Sequence, residues 1–144
     1  MNKYYIVVLL TLAMLLTPPL LTLAEELPKP PKESREELYH DMFLSLLSSE
    51  IDKPILEYYS KLINEPSVVY TYMIDVISAE RVYGYRSFRF YVTLEVHPVV
   101  GPHISVGKDR LKFDISAGKA ELIEFKHLET HQLPEHWQHI LLNQ

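Results

Sequence analysis

Apolar positions recur every three to four residues from Leu38 to Ile63, and every second residue along the strands that follow Val68. The first stretch holds two series. Leu38, Met42 and Leu46 run beside Tyr39, Phe43 and Leu47, and Ile51, Ile55, Tyr58, Tyr59, Leu62 and Ile63 follow. Glu36, His40 and Asp41 fall off this stripe, so the stripe is the face expected to be buried. Ser34-Arg35-Glu36-Glu37 is a capping box, in which the Ser hydroxyl takes the Glu37 amide and the Glu37 carboxylate reaches back. Pro54 lies between the two series and predicts a kinked helical pair over about 35–63, stopped by Asn64-Glu65-Pro66.

The period-two region predicts strands. Residues 68–80 are rich in Val, Ile and Tyr and form the first, with Val82-Tyr83-Gly84-Tyr85 as the turn. In the second, Phe88, Phe90, Val92, Leu94 and Val96 face one way, and Arg89, Tyr91, Thr93, Glu95 and His97 face the other. Two Pro and two Gly punctuate residues 98–107, which read as an ordered loop or bulge. Leu111, Phe113 and Ile115 alternate with Lys112, Asp114 and Ser116 in a third strand, and residues 120–128 form a fourth. Pro134 opens a short final helix over 135–142, anchored by Trp137, Ile140 and Leu141. Helices segregated from an antiparallel meander mean α+β. The expected packing lays an N-terminal helical layer across a four-stranded antiparallel sheet, as in cystatin-like and NTF2-like folds, with the short helix at the C-terminus.

The N-terminal segment is different in kind. Residues 1–24 begin Met-Asn-Lys and continue apolar and uncharged from Tyr4 to Leu16. Thr17-Pro18-Pro19 breaks this run, and Ala24 ends the segment. This is the pattern of a secretory signal peptide, with cleavage expected after Ala24. The alternative is an uncleaved membrane anchor through residues 4–23, about 20 residues being enough to span a bilayer. Residues 25–33 are polar and Pro-rich and read as a linker. Residues 34–144 then form a single α+β domain.

Several strings together resemble domain-of-unknown-function family 3888. They are the signal peptide, the Pro-rich spacer, Glu36-Glu37-Leu38-Tyr39, Gly84-Tyr85-Arg86-Ser87-Phe88, Val100-Gly101-Pro102-His103-Ile104-Ser105-Val106-Gly107, and Leu133-Pro134-Glu135-His136-Trp137-Gln138-His139-Ile140. That resemblance implies a small exported protein of Bacillus-type Gram-positive bacteria. It implies no activity and no catalytic residue.

Composition narrows the chemistry. The 144 residues contain no Cys, which removes disulfide scaffolds, thiolate nucleophiles and Cys-based metal sites. The net charge of −5, with no basic run, argues against nucleic-acid binding and against electrostatic docking on anionic lipid. Gly101 to Lys108 has x5 rather than x4 spacing before Gly-Lys, and Asp109 stands where a phosphate loop needs Ser or Thr. The carboxylates show no spacing that forces an acid–base pair, and there is no Gly-x-Ser-x-Gly, His-Glu-x-x-His or Ser-x-x-Lys.

Two clusters remain. Tyr83, Tyr85, Arg89 and Tyr91 form a candidate contact patch for a peptide or glycan, because Tyr combines an apolar body with a polar tip. His136 and His139, three apart on the last helix, could join His103, or His97, to hold zinc, provided that the Gly/Pro loop meets that helix. His127 and His131 have helical metal-pair spacing, but on a strand four residues span about 13 Å, too far to share one ion. The leading expectation is a non-catalytic, extracytoplasmic binding module, probing an unknown protein or cell-wall ligand as a monomer with no cofactor. A histidine-based metal-binding protein and a cell-wall hydrolase are the alternatives, the latter requiring a deep pocket with a shifted carboxylate or His.

Overall fold

The computed structural model describes residues 27–142. The expected signal segment, residues 1–24, therefore lies outside the described residues. One helix, α1, spans Arg35–Tyr59, with the Ser34 hydroxyl accepting the Glu37 amide at 3.0 Å and the Glu37 carboxylate accepting the Glu33 amide. The chain then forms β1 (Ile74–Arg81), β2 (Phe90–Val96), a two-stranded hairpin of β3 (Val99–Val100) and β4 (Ile104–Ser105), then β5 (Gly107–Ser116) and β6 (Lys119–Thr130). A six-residue 3-10 turn, Glu135–Ile140, comes last. The fold is α+β. Its four-stranded sheet has the order β1-β2-β5-β6, with every neighbouring pair antiparallel.

The helix differs from expectation in an instructive way. Pro54 does not divide it, and it ends at Tyr59 rather than near residue 63. Proline removes one amide from the helical ladder, but Ile51 and Ile55 on either side of Pro54 are fully buried, and that packing holds the helix through it. Continuity then fixes the buried face. Counting back from Tyr59, Ile55 and Ile51 by helical spacing leads to Leu47 and Leu44, and these five side chains are the buried ones. Leu38, Met42 and Leu46 are consequently rotated into solvent, with Tyr39 beside them.

Helix and sheet share one core. Leu44, Ile51 and Ile55 meet Val92, Leu94 and Val96 of β2 and Leu111 and Phe113 of β5, all within one buried cluster. The alternation read for β2 and β5 holds at these positions. Phe88 departs from it: it precedes the strand and is 70% exposed. The first strand also begins later than residue 68, because Thr71–Met73 forms a 3-10 turn ahead of it. The Gly/Pro loop closes as the β3–β4 hairpin, which buries Val99 and Val100. At the C-terminus Ile140 is buried, while Leu141 is half exposed and bridges to Ile63.

Two bulges in β6 have consequences for chemistry. Its register against β5 shifts between Lys108 and Asp109, and again between Lys112 and Phe113. The first shift skips Leu128 and sets His127 opposite Asp109. The second skips Ile123 and sets Leu122 opposite Phe113.

Candidate functional site

The connection between β1 and β2 carries the most exposed aromatic side chains of the sheet end. Tyr83, Tyr85 and Phe88 are 73%, 93% and 70% exposed. The loop is nevertheless well held. The Val82 amide donates to the Arg89 carbonyl at 3.0 Å, and the Ser87 amide to the Gly84 carbonyl at 3.1 Å. Gly84 has φ +78° and Arg86 φ +63°, so the chain reverses through left-handed backbone twice in three residues. The Arg81 guanidinium donates to the Ser87 carbonyl and lies over the Phe90 ring.

Arg89 locks the base of this loop to β5. Its Nε and Nη2 donate to the Asp114 carboxylate at 2.9 and 2.5 Å, and its Nη1 donates to the Tyr83 hydroxyl at 3.0 Å. The fork geometry suits a planar carboxylate. The Arg89 bonds hold the Asp114 carboxyl below the usual carboxylate range, and Asp114 in turn raises the Arg89 guanidinium. Tyr91 stands on the same face, with the Lys112 ammonium 5.2 Å from its ring centre. Further along that face Glu95 is only 4% exposed. Burial pushes its carboxyl up, but hydrogen bonds from Lys108 and Arg110 outweigh this and bring it below its ordinary value. Of the expected contact patch, Arg89 joins Tyr83 of the loop to the sheet face that carries Tyr91, while Tyr85 stands out in solvent from the loop. Arg89 is already committed to Asp114, so it orients the patch rather than offering a free cation. Phe88 was missed by reading it as core. The signal that could have placed it is Gly84 four residues before it, which marks the loop.

The histidines are engaged separately. The Gly/Pro loop does meet the C-terminal turn, but through Trp137: a Cβ added at Gly101 would collide with the Trp137 ring. His103 instead packs against Tyr70, with ring centres 4.7 Å apart, and its Nδ1 lies 3.3 Å from the Tyr72 hydroxyl. His139 Nδ1 bonds the His136 carbonyl at 3.0 Å. Among the described residues no three His, Asp or Glu side chains are grouped so that they could hold a metal ion.

A second polar network lies on the core side of β5. Asp109 is fully buried. It accepts the Tyr59 hydroxyl at 2.9 Å, and His127 Nδ1 lies 2.6 Å from its other oxygen. The His127 Nε2 lies 2.8 Å from the Thr130 hydroxyl. Tyr58 stacks on His127, ring centres 4.9 Å apart. Burial raises the Asp109 carboxyl, partly opposed by the bonds from His127 and Tyr59. Burial and the Asp109 charge push the Tyr59 hydroxyl far up. Gly107 makes room, since a Cβ there would collide with the Tyr59 hydroxyl and the Glu129 carbonyl. The acid–imidazole–hydroxyl chain has the connectivity that activates a nucleophile. The neighbouring His131 amide donates to the Val106 carbonyl, and two clefts among the described residues, one beside β1 and one at the start of α1, are lined by other side chains. The bonds of the network tie the end of α1 to β5 and β6.

The model of the family described as "Protein of unknown function (DUF3888)" matches residues 39–129. This chain belongs to that family. The match runs from the exposed first turns of α1 to the last residues of β6, and so includes both the aromatic loop and the Asp109–His127 pair. No curated protein and no solved structure matches the chain.

Proposed function

We propose that the protein is an exported, non-catalytic binding module that meets a wall or protein ligand outside the membrane through the β1–β2 loop. The single observation that carries this reading is the exposure of Tyr83, Tyr85 and Phe88 on a loop pinned by Arg89 to Asp114. Exposed rings on a mobile loop would lose entropy on binding. Rings on a pinned loop lose less, so more of the contact energy survives as affinity. Flat, amphipathic rings suit the apolar faces of sugars and the side chains of peptides alike. The N-terminal 24 residues act as the export signal, cleaved after Ala24, with the Pro-rich segment as spacer. In this reading the helix lies over the sheet as in cystatin-like or NTF2-like folds, which leaves the opposite sheet face and the loop open to a ligand.

The test is retention of the purified full chain on insoluble Gram-positive peptidoglycan, compared with Tyr85→Ala and Phe88→Ser. Loss of one stacked ring should weaken retention about fivefold. Both substitutions lie at exposed positions and should leave thermal unfolding unchanged. Retention that is equal in wild type and both variants refutes a wall ligand at this loop. A wild type that fails to bind the wall leaves protein ligands as the only form of the proposal, tested by crosslinking from position 85.

A further inference from the structure

The two edges of the sheet are treated differently. The β6 edge is interrupted by two bulges and studded with Lys119, Glu121, Glu124, Lys126 and Glu129. Such features discourage another strand from pairing. The β1 edge has a single bulge, at Ile77, and it borders a cleft of about 470 Å³, formed by its residues Ile74–Ile77, the first turns of α1 and the segment Leu27–Pro30. Asp41 of α1 and Asp75 of β1 line it. That volume lies within the range of specific ligand sites.

The chain itself shows what the edge accepts. Leu27 donates its amide to the Ile77 carbonyl at 3.4 Å, and two residues on the Lys29 ammonium sits 2.5 Å from the Asp75 carboxylate. Residues 27 and 29 thus face 77 and 75, the order of an antiparallel strand. The hold is slight: one long backbone bond, and one ion pair whose lysine is mostly in solvent. Pro28 and Pro30 have no amide, so this segment cannot extend into a full ladder.

We infer that the β1 edge is a strand-addition site for an extended, lysine-bearing peptide of a partner protein, for which Leu27–Pro30 is a weak internal placeholder. The partner strand would supply the amides that the prolines lack and set its lysines against Asp75 and Asp41. This site lies apart from the aromatic loop, and either can fail without the other.

The probe is a fluorescent heptapeptide of alternating lysine and valine, titrated into the full chain at physiological salt and followed by anisotropy. A glutamate–valine peptide is the control. Saturable binding of the lysine peptide alone is expected. It should weaken about fivefold in Asp75→Asn and again in Asp41→Asn, the scale of one exposed ion pair. Leu27→Pro removes the placeholder's amide and should tighten binding. Carbonyl-labelled peptide should show an antiparallel-strand infrared band on binding, and Tyr85→Ala should bind as wild type does. Absence of saturable binding overturns the inference. So does binding that is indifferent to both aspartates, or binding without the strand band.

Discussion

Tyr59→Phe removes one oxygen and leaves the ring, so it opens no cavity worth counting. The oxygen it removes donates to Asp109, a carboxylate with no exposed surface. Asp109 then keeps only His127 as a hydrogen-bond partner among the described residues. A hydrogen bond to a charged group is worth about 1.5–3 kcal/mol, against about 0.5–1.5 kcal/mol for a neutral pair. Stability at pH 7 should therefore fall by about 1.5–3 kcal/mol, and the Tm by roughly 6–12 °C for a domain of this size. The penalty also carries a pH signature. Burial raises the Asp109 carboxyl, so on acidification it becomes neutral earlier than an ordinary aspartate. Once it is neutral, the Tyr59 bond is an ordinary one, and the gap between wild type and Tyr59→Phe should narrow by about half. Urea unfolding of both proteins, followed by circular dichroism from neutral pH to about pH 4, measures this directly. A difference below about 0.5 kcal/mol that is flat with pH would show that Asp109 does not depend on Tyr59.

Acid should act on the sheet's polar face with the opposite sign. Glu95 and Asp114 are held below their ordinary values, so the stability they contribute is present above about pH 4 and is lost as pH falls through their folded values. Asp109 is raised, so its contribution declines as pH rises from about 4 through its folded value. Glu95→Gln should flatten the acid limb of a stability–pH curve and Asp109→Asn should steepen it; identical curves refute both assignments. Gly101→Ala drives a Cβ against the Trp137 ring at a residue with φ +48°. It should cost at least about 1–3 kcal/mol from backbone strain and shift the emission of the sole tryptophan to the red, whereas unchanged emission would mean that the turn yields freely. Zinc and a chelator should leave the Tm in place, because among the described residues His103, His136 and His139 are not grouped so that they could hold a metal ion. A zinc-dependent rise abolished by His136→Ala and His139→Ala would establish the metal reading, a site filled at 100 times its Kd adding about 2.7 kcal/mol.

Local chemistry alone determined much of this molecule. The Ser34 capping box starts the helix where the side-chain spacing requires. Alternation in β2 and β5 sorts Val92, Leu94, Leu111 and Phe113 from Arg89, Thr93, Lys112 and Asp114, because a pleated strand has a period of two wherever it runs. The β1–β2 turn was legible at Gly84, whose left-handed backbone breaks the strand. What could not be read is everything set by a partner distant in sequence. Both helix series were apolar, and only the continuity of α1 through Pro54 decided that Leu44 and Leu47 face the sheet while Leu38, Met42 and Leu46 face water. A β6 bulge, not a motif, carries His127 to Asp109, turning a residue set aside as a phosphate-loop mismatch into the buried centre of a network. The Pro-rich segment read as a spacer lies in part on the β1 edge, through one amide and one lysine that no local pattern marks. Hydrophobic period is a property of neighbouring residues. Register, facing and burial of charge are properties of pairs that only the folded chain brings together.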